Sequence, residues 1–122
     1  ITADPLYLPV SHQIKTYLGR PWKTFSRTII MQSQIDEFVQ PEGWTQWPAY
    51  NQTNHLTCYY AEYKNTGPGA GARNEEKRVK WPCIKNITDA EAQRFSPSIM
   101  FNGGDWIRQA RVPYYSGMTP RK

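Results

Sequence analysis

Apolar residues come in short runs, separated by long polar stretches rich in turn residues. The clearest run is Thr28-Ile29-Ile30-Met31, β-branched and flanked by polar positions, which predicts a buried strand within Ser26 to Gln34. Leu56 to Tyr63 is tyrosine-rich with partial alternation and predicts a second strand. Val79 to Ile84 reads as a short third strand, its pairing limited by Pro82. Between them, Gln40 to Tyr50 carries Pro41, Gly43 and Pro48 and reads as a long turn. Asn65 to Ala72, with three glycines and a proline, is a loop, and Arg73 to Lys80 reads as a charged, exposed stretch. Ile1 to Thr16, with Pro5 and Pro9, reads as extended or loop.

Helical signal is confined to one place. Thr88-Asp89-Ala90-Glu91 is a capping box, which predicts a helix from about Asp89 to Phe95, closed by Ser96-Pro97. The tail from Asn102 to Lys122 reads as mostly irregular. Strand runs with long loops fit a sandwich, a barrel or a solenoid, and the lack of a clean short repeat argues against a regular solenoid.

With 122 residues the chain is one domain or a piece of one. Five Trp and eight Tyr put much of its apolar material in amphipathic rings, which suit a sugar-binding surface as well as a core. The formal charge of +5 favours a polyanionic partner. Nucleic acid is not favoured, because no helix-turn-helix, zinc-finger or RNP-like pattern is present. No apolar run is long enough to span a membrane, and no signal peptide is seen. Cys58 and Cys83 allow one disulfide, as a local pair or as a bridge to another chain. Sequons at Asn51 and Asn86 are candidate glycosylation sites consistent with export.

The chemistry concentrates in Tyr17-Leu18-Gly19-Arg20-Pro21-Trp22. Proline fixes a backbone dihedral between a planar guanidinium fork for carboxylates and a flat indole face for a sugar ring. This run, then Lys23, Ser26-Arg27-Thr28, Met31-Gln32-Ser33, Pro41-Glu42-Gly43-Trp44 and Trp47, resembles the plant pectin methylesterases. The resemblance continues through Tyr59-Tyr60, Glu62-Tyr63, Asn65 to Ala70, Arg78 to Trp81, Ala90-Glu91-Ala92, Phe95 and Phe101 through Trp106. It implies an all-β, right-handed parallel β-helix, with residues 1–122 as the C-terminal portion of a single domain. These would be its last coils plus a short helix and tail. A few terminal coils would expose an apolar end, so the expectation is a cleaved chain docked on an N-terminal companion chain.

The same resemblance implies a secreted, cell-wall esterase that hydrolyses pectin methyl esters to carboxylate and methanol. No metal or organic cofactor is expected. Its partners would be pectin or polygalacturonate and a proteinaceous pectinesterase inhibitor. One aspartate would attack the ester carbonyl, a second would act as acid and base, and glutamines would stabilise the oxyanion. Of that set, Arg20 matches the arginine that holds the nucleophilic carboxylate, and Trp22 and Trp47 match tryptophans lining the sugar cleft. The aspartates would sit upstream of Ile1, since Asp4, Asp36, Asp89 and Asp105 lack the family's neighbours. Cys58 and Cys83 depart from the family pattern. His12 and His55 are isolated and read as loop or surface residues. Two other readings remain open: a pectinesterase-like carbohydrate-binding or defence protein without esterase activity, and a nucleic-acid-directed toxin using the basic surface.

Overall fold

Parallel pairing of short strands organises the chain. The computed structural model describes residues 1–48, 53–102 and 105–119. These fall into two units, Ile1–Asn86 and Ile87–Lys122. In the first unit, β1 (Arg27–Met31), β2 (Tyr59–Tyr63) and β3 (Ile84–Lys85) form one sheet in the order β1-β2-β3. Every pairing is parallel: Arg27 stands opposite Tyr59, Met31 opposite Tyr63, and Tyr60 opposite Ile84. Three isolated parallel bridges, Thr16 with Val39, Gly19 with Trp44 and Gln34 with Thr66, extend the same stacking beyond the strands. Partners sit at unequal sequence separations, which is why no repeat is visible in the sequence.

Successive turns align as well as strands. Gln32 and Lys64 follow the paired residues Met31 and Tyr63, and both take a left-handed backbone, at φ 50° and 49°. Asn65 then ties the two layers together. Its Oδ1 accepts from the Ser33 N–H at 3.0 Å, and its Nδ2 donates to the Ile30 carbonyl at 3.0 Å. Such side-chain bonds satisfy backbone groups that the turn removes from the ladder.

The core lies inside the stack. Trp44, Cys58, Tyr60 and Cys83 are buried together, with Leu18, Ile30, Val79, Trp81 and Ile84 packed against them. Cys58 and Cys83 form a disulfide between the segments leading into β2 and β3, with Cα atoms 4.9 Å apart.

Arg78 fastens the loops to this core. Its Nε and Nη2 donate to Glu62 at 2.8 and 3.2 Å, Nη1 to the Pro41 and Gln40 carbonyls at 2.8 and 3.3 Å, and Nη2 to the Gly69 carbonyl at 2.6 Å. All five donors of the guanidinium are used. Glu62 also accepts from the Gly71 N–H at 3.0 Å. The side chains of the pair are only 9% and 14% exposed. Gly43, at φ +71°, leaves room for the arginine, since a Cβ there would come within 2.7 Å of its Cδ.

The second unit holds α2 (Asp89–Gln93), α3 (Pro97–Met100) and α4 (Asp105–Gln109). The capping box forms as expected. Thr88 Oγ1 accepts from the Glu91 N–H at 3.3 Å, and the Thr88 N–H donates back to Glu91 at 2.8 Å. That backbone donor, with the Thr88 hydroxyl, holds the Glu91 carboxyl below its ordinary pKa. Among the described residues of this unit, Ala92, Ser96 and Ile107 are buried.

Four local expectations change. The predicted second strand begins only at Tyr59, because Asn54–Thr57 turns as α1. Pairing after Pro82 starts at Ile84, so β3 keeps two residues and Val79 packs as a loop residue. Pro97, which closes one helix, opens the next at its first turn, where a missing N–H costs nothing, and the tail carries α4. Arg78, placed in an exposed stretch from sequence, is buried by its pairing with Glu62.

Three stability outcomes follow from these contacts. Arg78→Met strands a buried carboxylate and several carbonyls, and costs about 3–5 kcal/mol in urea unfolding. Adding Glu62→Leu to it recovers part of that loss. Cys58→Ser with Cys83→Ser lowers stability by about 3 kcal/mol in the chain-entropy model, and dithiothreitol reproduces the drop in the parent protein. Phe25 adopts φ 62° while 77% exposed, a strained backbone for an aromatic residue without burial to offset it. Phe25→Gly therefore raises stability by about 1 kcal/mol, seen as a higher Tm.

Candidate functional site

The segment Arg20-Pro21-Trp22 sits on the first unit's surface, held from behind by backbone-directed bonds. Pro21 is fully buried, which anchors the segment while its neighbours face solvent. The Tyr60 hydroxyl donates to the Arg20 carbonyl at 2.8 Å. Asn54 Nδ2, at the start of α1, lies 3.2 Å from the Pro21 carbonyl and 3.3 Å from that of Trp22. Just before the segment, Gly19 pairs with Trp44, and its carbonyl accepts from the Thr45 N–H at 3.2 Å. A buried ring, a strand tyrosine and a helix asparagine thus fix the backbone beneath two exposed side chains.

Trp47 comes from the following layer and meets both of them. Its ring packs edge-to-face on Trp22, with centroids 4.7 Å apart and planes at 87°. The Arg20 guanidinium carbon stands 5.6 Å from the Trp47 centroid, within cation–π range. The Trp47 Nε1–H is buried with no acceptor among the described residues. Trp22 remains 65% exposed, so one indole face stays open to a ligand. Arg20 and Trp47 also line a cleft of about 370 Å³ with Lys15, Thr16, Tyr17 and Gly19. That lining holds two cations, Lys15 and Arg20, and no carboxylate, so its local charge is positive.

The structure brings Arg20, Trp22 and Trp47 together. It gives the aspartates local work elsewhere. Asp4 Oδ1 accepts from the Leu6 N–H at 2.8 Å, Asp36 belongs to a turn closed by the Val39 N–H, Asp89 opens α2, and Asp105 pairs with Arg108. The strand tyrosines Tyr60 and Tyr63 are buried in packing. His55 stacks on Trp81 with ring centroids 5.6 Å apart, and His12 contacts the Gln13 side chain at 3.2 Å. Asn86 is exposed after β3, whereas Asn51 lies outside the described residues. Among the described residues, no helix is long and apolar enough to cross a membrane. No cluster of His, Cys, Asp or Glu there could hold a metal ion.

Sequence reasoning missed Asn54 and Tyr60 as the holders of the site backbone. Asn54 lies more than thirty positions from its partners, and no local pattern marks it.

Comparison with known proteins gives a consistent result. The family model described as Pectinesterase matches residues 1–105. A protein named probable pectinesterase/pectinesterase inhibitor 58, from Arabidopsis thaliana, is 50% identical over 114 residues, covering 93% of this chain and 19% of its own length. A pectinesterase from Petunia integrifolia is 48% identical over 122 residues, covering 97% of this chain and 31% of its own length. The solved pectin methylesterase from carrot superposes with a TM-score of 0.81 at 40% identity, over 92% of this chain and 34% of that one. The chain thus spans between 19% and 34% of the length of these relatives. The match over residues 1–105, and the level of identity across nearly the whole chain, place it in one family: it belongs to the pectinesterases.

Proposed function

We propose that this chain is the C-terminal part of a plant pectin methylesterase and supplies one wall of its active site. The observation that carries the reading is the convergence of Arg20, Trp22 and Trp47 on one face, over a backbone fixed from behind. The parallel stacking of β1, β2 and β3 and the aligned turns agree with the last coils of a right-handed parallel β-helix. The remaining coils, and the two catalytic aspartates, belong to a companion part of the same protein. The whole acts on pectin in the cell wall, outside the cell.

In this reading the Arg20 fork binds the nucleophilic aspartate, keeps it ionised and aims it. The aspartate adds to the methyl ester carbonyl, and the bond to the methoxy oxygen breaks. The second carboxyl donates a proton to that oxygen, so methanol leaves. Water, deprotonated by the same carboxyl, then cleaves the acyl-enzyme to give the free uronate. Trp22 and Trp47 hold the sugar rings, and Trp47 also flanks the guanidinium and limits its swing. A protein inhibitor of the enzyme would compete for the exposed Trp22 face.

The test uses the full protein that carries this chain, with methanol release from highly methylated pectin as the readout. Arg20→Ala lowers kcat by about a hundredfold or more, as for loss of a charged positioning group, with Tm unchanged. Trp22→Ala lowers kcat/KM by about tenfold through KM. Near-normal turnover in Arg20→Ala would overturn the assignment. Pectin binding by the parent protein with no methanol released would mark a carbohydrate-binding protein instead.

A further inference from the structure

A second cleft, of about 470 Å³, opens beside the β2–β3 edge of the first unit. Its apolar lining includes Trp81, Val79 and Ile84, the half-buried residues packed on the core. Its polar lining carries Lys64, Arg78, Lys80 and Lys85 against Glu62 and Glu75. Arg78 and Glu62 neutralise each other, and Lys80 and Lys85 stand beside the one remaining carboxylate, Glu75. Two ammonium groups are held in place by backbone carbonyls: Lys80 Nζ by Glu75 at 2.6 Å and Lys85 Nζ by Pro82 at 2.9 Å. Each ammonium has three donors, and that bond uses one of them. Lys64 Nζ rests 4.9 Å from the Tyr63 ring centroid. The His55 ring packs at a tilt on Trp81, with centroids 5.6 Å apart. None of the residues lining this cleft lines the one around Arg20.

We propose that this cleft is a non-catalytic binding site for a run of free uronate residues. Pinned lysines would receive the carboxylates, while Trp81 offers an apolar face to the sugar rings. Charge complementarity selects the de-esterified acidic polymer over the neutral methyl ester, so the site holds the enzyme on its product. The identity of the polymer rests on the pectin reading; the existence of an anionic-saccharide site does not.

The test compares two charge-matched double variants of the full protein. Lys80→Gln/Lys85→Gln empties the cleft of two cations. Arg73→Gln/Lys77→Gln removes two exposed cations that do not line it. Binding to polygalacturonate, and to polyglutamate as a non-saccharide polyanion, is followed by affinity electrophoresis at several salt concentrations. The cleft variant loses about tenfold in affinity for polygalacturonate and has a shallower salt dependence, whereas the control pair loses less than about twofold. Methanol release from a short, fully methylated oligomer is unchanged in both. Equal losses in the two variants would overturn the proposal, as would equal effects on polyglutamate or absence of polygalacturonate binding in the parent. Cleft-dependent binding in a protein that releases no methanol would leave this site standing and overturn the esterase reading.

Discussion

The buried ion pair between Arg78 and Glu62 is the constraint on which the first unit depends. A short parallel sheet with long connections cannot hold its loops by ladder bonds alone. Arg78 reaches carbonyls at Gln40, Pro41 and Gly69 while paired with a β2 side chain, so one guanidinium joins three otherwise separate segments. Burying a charge is costly, and the cost is met only because all five donors find acceptors. Gly43 is part of the same arrangement, since a larger residue there would displace the arginine. The Gln40–Gly43 turn leads directly to the buried Trp44 and on to Trp47, which packs against the exposed Trp22 and so links this interior pair to the site.

The candidate site inherits its rigidity from that frame. Arg20 and Trp22 are exposed, yet their backbone carbonyls are bonded by Tyr60 and Asn54, and Pro21 between them is buried. Positioning from behind leaves this face open and lowers the entropy cost of ordering it when a ligand binds. The T-shaped contact between Trp22 and Trp47 adds a second restraint, because each ring limits the rotamers of the other.

Much of this was legible in the residues, though unevenly. The strand at Ile29-Ile30, the glycine-rich turn near Gly67 and the capped helix at Asp89 follow from local chemistry, and local chemistry is what a sequence states directly. The motif around Arg20 was readable because proline makes its geometry local as well. The helical turn at Asn54 was not, since its stabilising partners come from a distant loop. Arg78 was misjudged for a related reason. It lies among charged neighbours that are exposed, and only the fold brings Glu62 to it. Parallel stacking itself was hidden because successive layers are joined by connections of different length.

The disulfide has a consequence for how such a stack comes apart. Layers that touch only their neighbours fray from an end, one after another. Cys58 and Cys83 are joined across 25 positions that contain the whole of β2 and Arg78. The layers of β2 and β3 are therefore closed into a covalent ring. Closing that ring limits how far an opened chain can spread, so the β2 and β3 layers hold together more firmly in an oxidising setting than where thiols are abundant.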